Sequence, residues 1–188
     1  MLTLEQIEKS ILYMDDTYDA NFGEWIRNED NCRIVAYNMK KYIDKYSVSS
    51  MIVVIKWVVK DWTLKSIIIF TKKMLFEDIK SLCSKESDFD KEKFVNRVKI
   101  VSGLIHTWNS LFISEFILAT TKYFTSEEKS RILKMMLDSF EQKKLSEIFT
   151  HLDNKLESKV KSDLINDNKL KKKRSRRSRS IIEAYNVS

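Results

Sequence analysis

Apolar residues recur at intervals of three and four positions through most of the first 160 residues. This is the period of an amphipathic α-helix with one buried face. The clearest run is spaced by four, three, four and three positions and ends in a tryptophan, and an apolar segment follows it directly. These two segments supply the predicted core residues Phe94, Val98, Val101, Ile105, Trp108, Phe116 and Phe124.

Polar residues at the edges of these runs mark where helices begin. Thr125 followed by Glu128 has the form of a capping box, in which two side chains satisfy free backbone N–H groups. Asp30 or Asn31 is expected to cap an earlier helix in a similar way. Asx, Ser and Thr residues therefore provide the chain breaks that this sequence needs.

One segment in the middle of the chain needs a choice between strand and helix. Residues 51–60 are rich in β-branched side chains, which favour strands. Helical patterns flank them on both sides, so we predict a buried helix. The stripe of apolar residues from Trp62 to Leu82 predicts one further amphipathic helix.

The composition favours helices over sheets. Proline is absent and there are only two glycines in 188 residues. A sandwich or barrel needs a turn every eight to twelve residues and usually draws on both residue types. We therefore predict an all-α fold, a single-domain helical bundle of seven to eight helices over residues 1–160, followed by a basic tail over 161–188.

The net charge of +7 lies entirely in residues 169–188 of the tail. Without the eight cations and one acid that follow residue 168, the chain has 26 basic and 26 acidic residues. Three interpretations of the cations remain open: a nuclear import signal, phosphate contacts with RNA or DNA, and a solubilising tail. The cations are Lys169, Lys171, Lys172, Lys173, Arg174, Arg176, Arg177 and Arg179.

No residue pattern in the sequence suggests catalysis. His106, His151, Cys32 and Cys83 are the only histidines and cysteines, and none has the spacing of a zinc site. A glycine-rich phosphate loop and a nucleophile elbow are both missing. We therefore expect a protein that is not an enzyme, with no catalytic residues, no metal and no cofactor.

The two cysteines and the N-terminal residues bear on where the protein works. The N-terminus lacks the apolar stretch of a secretion signal, and no apolar run approaches the roughly 20 residues of a membrane span. We expect an intracellular protein without a membrane span, located in the cytoplasm and, through the tail, in the nucleus.

The four tryptophans have two interpretations. Aromatic side chains can stack on nucleic-acid bases, or they can pack in the core. Trp25, Trp57, Trp62 and Trp108 all lie in apolar helical patterns, which favours the core. Trp62 is the weakest case for burial, since charged residues flank it.

The order of these features resembles that of the poxvirus Bcl-2-like proteins, intracellular virulence factors that block host apoptotic and innate-immune signalling. Ile11–Phe22 is similar to their first helix and the loop after it. Cys32 and Asn38–Lys40 are similar to a Cys and an Asn-Met-basic sequence in a second helix. Val98–Trp108 with Phe116–Phe124 resembles their central apolar helix and the helix after it. The resemblance covers about residues 1–140 in patches and leaves out 47–83.

The resemblance implies a Bcl-2-like fold and a viral protein that binds host signalling or pro-apoptotic proteins. A helix of the target would lie in an apolar groove. It also implies a homodimer or adaptor face at the first helix, where Tyr13 or Trp25 would be the aromatic anchor. Two other classes remain open. One is a helical RNA-binding protein, such as a viral silencing suppressor, that uses the tail, and the other is a structural or assembly protein.

Overall fold

The computed structural model describes residues 20–83, 88–152, 156, 160 and 162–166. All regular secondary structure in these ranges is helical, which confirms the all-α prediction. A further helical turn spans 162–166. The α-helices are α1 (Ala20–Arg27), α2 (Cys32–Lys40), α3 (Val48–Val58), α4 (Leu64–Thr71), α5 (Glu77–Cys83), α6 (Asp88–Ile105), α7 (Ser110–Thr120), α8 (Ser126–Met136) and α9 (Gln142–Leu152).

A π-helical segment, Lys72–Phe76, joins α4 and α5 into one continuous rod. The Glu77 N–H donates to the carbonyl of Lys72, five residues back. One turn earlier, the Thr71 hydroxyl donates to the carbonyl of Ile67 at 2.8 Å. The sequence predicts the extent of this rod as one helix, but it does not predict the π turn.

The core forms around α6, which packs on α3, α5 and α8, while α7 packs on α4 and α9. Trp108 is the one predicted core residue that is only half-buried, because α6 ends at Ile105 and Trp108 lies in the turn beyond it. The other predicted core residues are at most 7% exposed, namely Phe94, Val98, Val101, Ile105, Phe116 and Phe124.

The helix starts agree with the sequence at one position and differ at another. The capping box at Thr125 and Glu128 is present, with both side-chain hydrogen bonds formed. Asn31 occupies the predicted N-cap position of α2, but its side chain makes no capping hydrogen bond, because the preceding residues Glu29–Asn31 form a 3-10 helix. The side chain of Asn31 instead donates to the carbonyl of Trp25 at 2.9 Å.

The β-branched segment is helical, as predicted. It belongs to α3, whose first turn is capped by the Ser47 hydroxyl accepting from the N–H of Ser50. Met51, Ile55 and Val58 are fully buried. Burial on the helix face offsets the weak helix propensity of these side chains.

The packed core continues beyond residue 160, where the residue pattern predicts the end of the bundle. Val160 is fully buried and Leu164 is 4% exposed. The hydroxyl of Ser130 on α8 donates to the carboxylate of Asp163 at 3.1 Å. Tyr13, the helix expected near the N-terminus and all eight tail cations lie outside the described residues.

Gly103 sets the approach of α6 to α3. A Cβ atom at this position would overlap the side chain of Ile52. We expect Gly103→Val to lower the free energy of unfolding by about 1–3 kcal/mol through overpacking. Urea unfolding measures the loss, and adding Ile52→Ala should recover part of it. If Gly103→Val left stability unchanged, the close contact between α3 and α6 would be contradicted.

Candidate functional site

An apolar groove lies between the α4–α5 rod and the turn after α7. It has a volume of about 400 Å³, and we call it the Tyr123 groove. Its size is within the range of about 300–1,000 Å³ that is typical of ligand pockets. The lining residues are Lys72, Phe76, Glu77, Lys80, Thr120, Tyr123 and Phe124.

The aromatic floor of the groove is tightly fixed. The Phe76 ring meets those of Phe116 and Phe124 edge-on, at centroid distances of 5.9 and 6.2 Å. The Thr120 and Thr121 hydroxyls both donate to carbonyls of α7, each at 2.7 Å. These polar groups are satisfied within α7, so the floor presents mainly apolar surface.

The rim combines one exposed aromatic ring with positive charge. Tyr123 is 72% exposed. The Lys72 and Lys122 ammonium groups lie 5.7 and 5.8 Å from its ring centroid. Neither lysine forms an ion pair with any residue that the structure describes. The two cations are therefore free to pair with an incoming acid.

The other charges at the groove are already paired. Lys80 binds the Glu128 carboxylate, and its ammonium lies 5.1 Å from the Phe124 ring centroid. Burial acts to raise the pKa of Glu128, but hydrogen bonds from Lys80 and Thr125 outweigh it and hold that pKa below its usual value. Glu128 is thus ionised at neutral pH and neutralises Lys80. The free charge at the rim is positive.

A second charged cluster is built around the buried Arg97 and serves the fold. The guanidinium of Arg97, only 4% exposed, binds Asp44 through two hydrogen bonds of 2.7 and 2.9 Å. Its Nε lies 3.7 Å from Asp78, which also pairs with Lys40 at 2.7 Å. Within the described residues this Nε makes no hydrogen bond. The cluster ties α5 and α6 to α2 and to the turn after it.

We expect Asp44→Asn to lower the free energy of unfolding at neutral pH by about 1–3 kcal/mol, since Arg97 would remain buried without its carboxylate. The Arg97 hydrogen bonds hold the pKa of Asp44 below its ordinary value of 3.8. The stabilisation is therefore present above that ordinary value and is lost as the pH falls through the lower folded-state pKa.

Urea unfolding of both proteins across the acid range tests this pH dependence. The two curves should converge in acid, and Asp61→Asn, at an exposed aspartate, should have no such effect. A stability difference that stays the same at every pH would contradict the role of the ion pair.

The two histidines and Cys32 differ in their exposure. His106 and His151 are exposed, whereas Cys32 is buried, and burial raises the pKa of its thiol. The Cys83 side chain lies outside the described residues. Across 20–83 and 88–152, no cluster of His, Cys, Asp and Glu could hold a metal ion.

The relative burial of the four tryptophans differs from the sequence prediction. Trp62, the weakest case for burial, is 7% exposed, while the other three are half-buried against the core. Its indole N–H donates to the carbonyl of Arg27, and its ring meets Phe70 edge-on at 5.4 Å. Trp25, the candidate dimer anchor, has part of its ring in the core, so only the remainder is available to a partner.

Sequence reasoning missed Tyr123, Lys72 and Lys122 as candidate site residues. The available signal is the Lys122-Tyr123-Phe124 sequence just after an apolar helix, where two adjacent aromatic rings cannot both face the core. Phe124 is 7% exposed and Tyr123 points outward. The rod residues that form the other wall of the groove are distant in sequence from Tyr123, and only the fold brings them near.

Comparison with known proteins gives no relative. No family model, curated protein or solved structure matches this chain. Among the described helices, none is both long enough and apolar enough to cross a bilayer.

Proposed function

We propose that this chain is a non-enzymatic binding protein that docks a helical segment of a partner protein in the Tyr123 groove. The observation that carries the proposal is the position of the exposed Tyr123 ring at the rim of this apolar groove. The ring lies between the ammonium groups of Lys72 and Lys122, which form no ion pairs with the described residues. An amphipathic helix recognises such a groove through apolar anchors spaced at i, i+3, i+4 and i+7.

The chemistry of the groove specifies the partner segment further. Tyrosine is enriched at the centres of interfaces because it buries a large area at low entropic cost. Lys72 and Lys122 favour acidic residues beside the apolar anchors and speed association with them. The π segment Lys72–Phe76 forms one wall, and π turns within helices are frequent at functional sites.

The resemblance to the poxvirus Bcl-2-like proteins would place the partner among host apoptotic or innate-immune signalling proteins. On this proposal the chain sequesters a helix of such a protein and prevents its normal contacts. The resemblance implies an apolar groove, and the Tyr123 groove supports the proposal as a groove of that kind.

The test uses a labelled helical peptide of about 20 residues, with leucines at i, i+3, i+4 and i+7 and glutamates on the rest of its surface. Fluorescence anisotropy should show saturable binding, and Tyr123→Ala should weaken it at least about tenfold. Lys72→Glu combined with Lys122→Glu should slow association and reduce its salt dependence. Peptides from helices of host signalling and pro-apoptotic proteins then enter the same assay.

Matched controls lie on other faces. Tyr37 is 57% exposed and has the Lys41 ammonium 4.7 Å from its ring centroid, so Tyr37→Ala removes a similar pair elsewhere. Lys99→Glu with Lys143→Glu makes the same charge change away from the groove. Equal binding of a scrambled peptide, or an affinity unaffected by Tyr123→Ala, would rule out this docking mode.

A further inference from the structure

A second cleft, of about 450 Å³, opens where α3, α6 and α7 meet. We call it the tryptophan cleft. It differs from the Tyr123 groove because polar groups and aromatic rings share its wall. The residues that give the cleft this mixed character are Lys56, Lys60, Thr107, Trp108, Asn109 and Phe112.

Two aromatic rings form an angled wall that could hold a planar group. Trp108 is half-buried and meets Phe116 edge-on at 5.4 Å, which fixes its ring. Phe112 is 37% exposed and stands nearly perpendicular to Trp108, at 88° and 6.2 Å. A flat ring stacked on one of these side chains would meet the other edge-on. Stacked and edge-on contacts are the two arrangements that aromatic groups prefer.

Hydrogen-bonding groups surround this wall. The Trp108 indole N–H has no hydrogen-bond partner in the part of the chain that the structure describes. Asn109 accepts from the N–H of Phe112 at 2.8 Å through its carbonyl oxygen, which leaves its amide N–H₂ free to donate. The Lys144 ammonium donates to the carbonyl of His106 at 2.7 Å and fixes the turn that carries these groups.

Positive charge also lines the cleft. Lys56 near the end of α3 and Lys60 in the turn after it form no ion pair with the described residues. Glu147 on α9, which contacts the first turn of α7, accepts from the Ser110 hydroxyl at 2.8 Å and is thus already bound. The cleft therefore pairs an aromatic, hydrogen-bonding wall with two free cations.

We propose that the tryptophan cleft binds a nucleotide, with the base against Phe112 and Trp108 and the phosphate at Lys56 and Lys60. Base-to-aromatic stacking and phosphate-to-lysine contact are the two interactions by which proteins hold unpaired nucleotides. Thr107, Asn109 and the Trp108 indole supply hydrogen bonds to the base or sugar. The ligand is either a free mononucleotide or one unit of a single strand, which present the same chemistry to the cleft.

The test titrates the full-length protein with AMP and follows both tryptophan fluorescence and equilibrium dialysis. One molecule should bind per chain with a dissociation constant below about 1 mM. Phe112→Ala should weaken binding at least about fivefold, and Lys56→Gln with Lys60→Gln at least about tenfold. Leu111→Ala and Lys99→Gln are the matched controls, and each should change the affinity by less than about twofold.

A second set of measurements distinguishes a free mononucleotide from one unit of a single strand. The same variants are measured with a single-stranded oligonucleotide of about ten adenylates, at about 200 mM salt so that the tail cations contribute little to its binding. If both substitution sets weaken the oligonucleotide as they weaken AMP, the ligand is a unit of a strand. If only AMP binding falls, the ligand is a free nucleotide.

Three results would overturn the proposal. The first is the absence of saturable AMP binding up to about 10 mM. The second is an AMP affinity that the cleft substitutions leave unchanged. The third is displacement of AMP by an equal concentration of inorganic phosphate, because the base would then contribute nothing. Far-UV circular dichroism confirms that each variant is folded, which is expected because Phe112 and Lys60 are exposed.

Discussion

Raising the salt concentration from about 50 to about 200 mM is expected to weaken binding of the full-length protein to duplex nucleic acid by on the order of a thousandfold. Each phosphate neutralised by a cation releases a counterion, so the affinity falls with log salt at a slope of roughly −0.9 per contact. A thousandfold loss corresponds to engagement of about six of the eight tail cations. Residues 1–168 are neutral overall and add no net charge to this attraction.

Deletion of residues 169–188 should abolish that slope and leave the thermal melting temperature nearly unchanged, because a charged segment buries little apolar area. Filter binding across a salt series measures the slope. If the import interpretation holds, the same deletion should move a fluorescent fusion out of the nucleus. A truncated chain that keeps the full slope would place the basic surface on the helical domain and favour the RNA-binding alternative.

The second large effect concerns the core. Val101 is fully buried in α6, and Val101→Asp would place a carboxylate there without a partner. Burying an unpaired charge costs several kcal/mol, which is comparable with the whole stability of about 5–15 kcal/mol. We expect the variant to be insoluble or to lose its cooperative melting transition.

Circular dichroism and thermal melting of the purified variant measure this outcome. Lys99→Asp, two residues earlier on the same helix and exposed, should retain the helical spectrum and melt cooperatively. A soluble Val101→Asp protein with an unchanged melting temperature would contradict the burial of this face of α6.

Several parts of the fold can be predicted from the residue pattern because their causes are local. The Thr125–Glu128 capping box forms within four residues, so its two hydrogen bonds depend on nothing distant. The buried face of α6 follows from spacings that match 3.6 residues per turn. The helical patterns on both sides of the segment around Met51 predict that it is helical, and burial against α6 then stabilises it.

Other parts depend on contacts between residues far apart in sequence. Trp62 looks exposed between charged neighbours, yet the Arg27 carbonyl, 35 residues away, accepts its indole N–H. The π turn at Lys72–Phe76 and the bidentate pair of Arg97 with Asp44, 53 residues apart, leave no periodic trace in the sequence. Such contacts are decided by how the helices pack, which local propensity does not encode.

The same division applies to the candidate sites. Composition and helical period are sufficient for the all-α class and for a neutral domain with a basic tail, because both are sums or short-range patterns over the chain. Tyr123 comes near Lys72, and Phe112 comes to line the same cleft as Lys56, only after the helices have assembled. A binding surface is made of side chains from separate helices, so its shape and charge exist only in the tertiary structure.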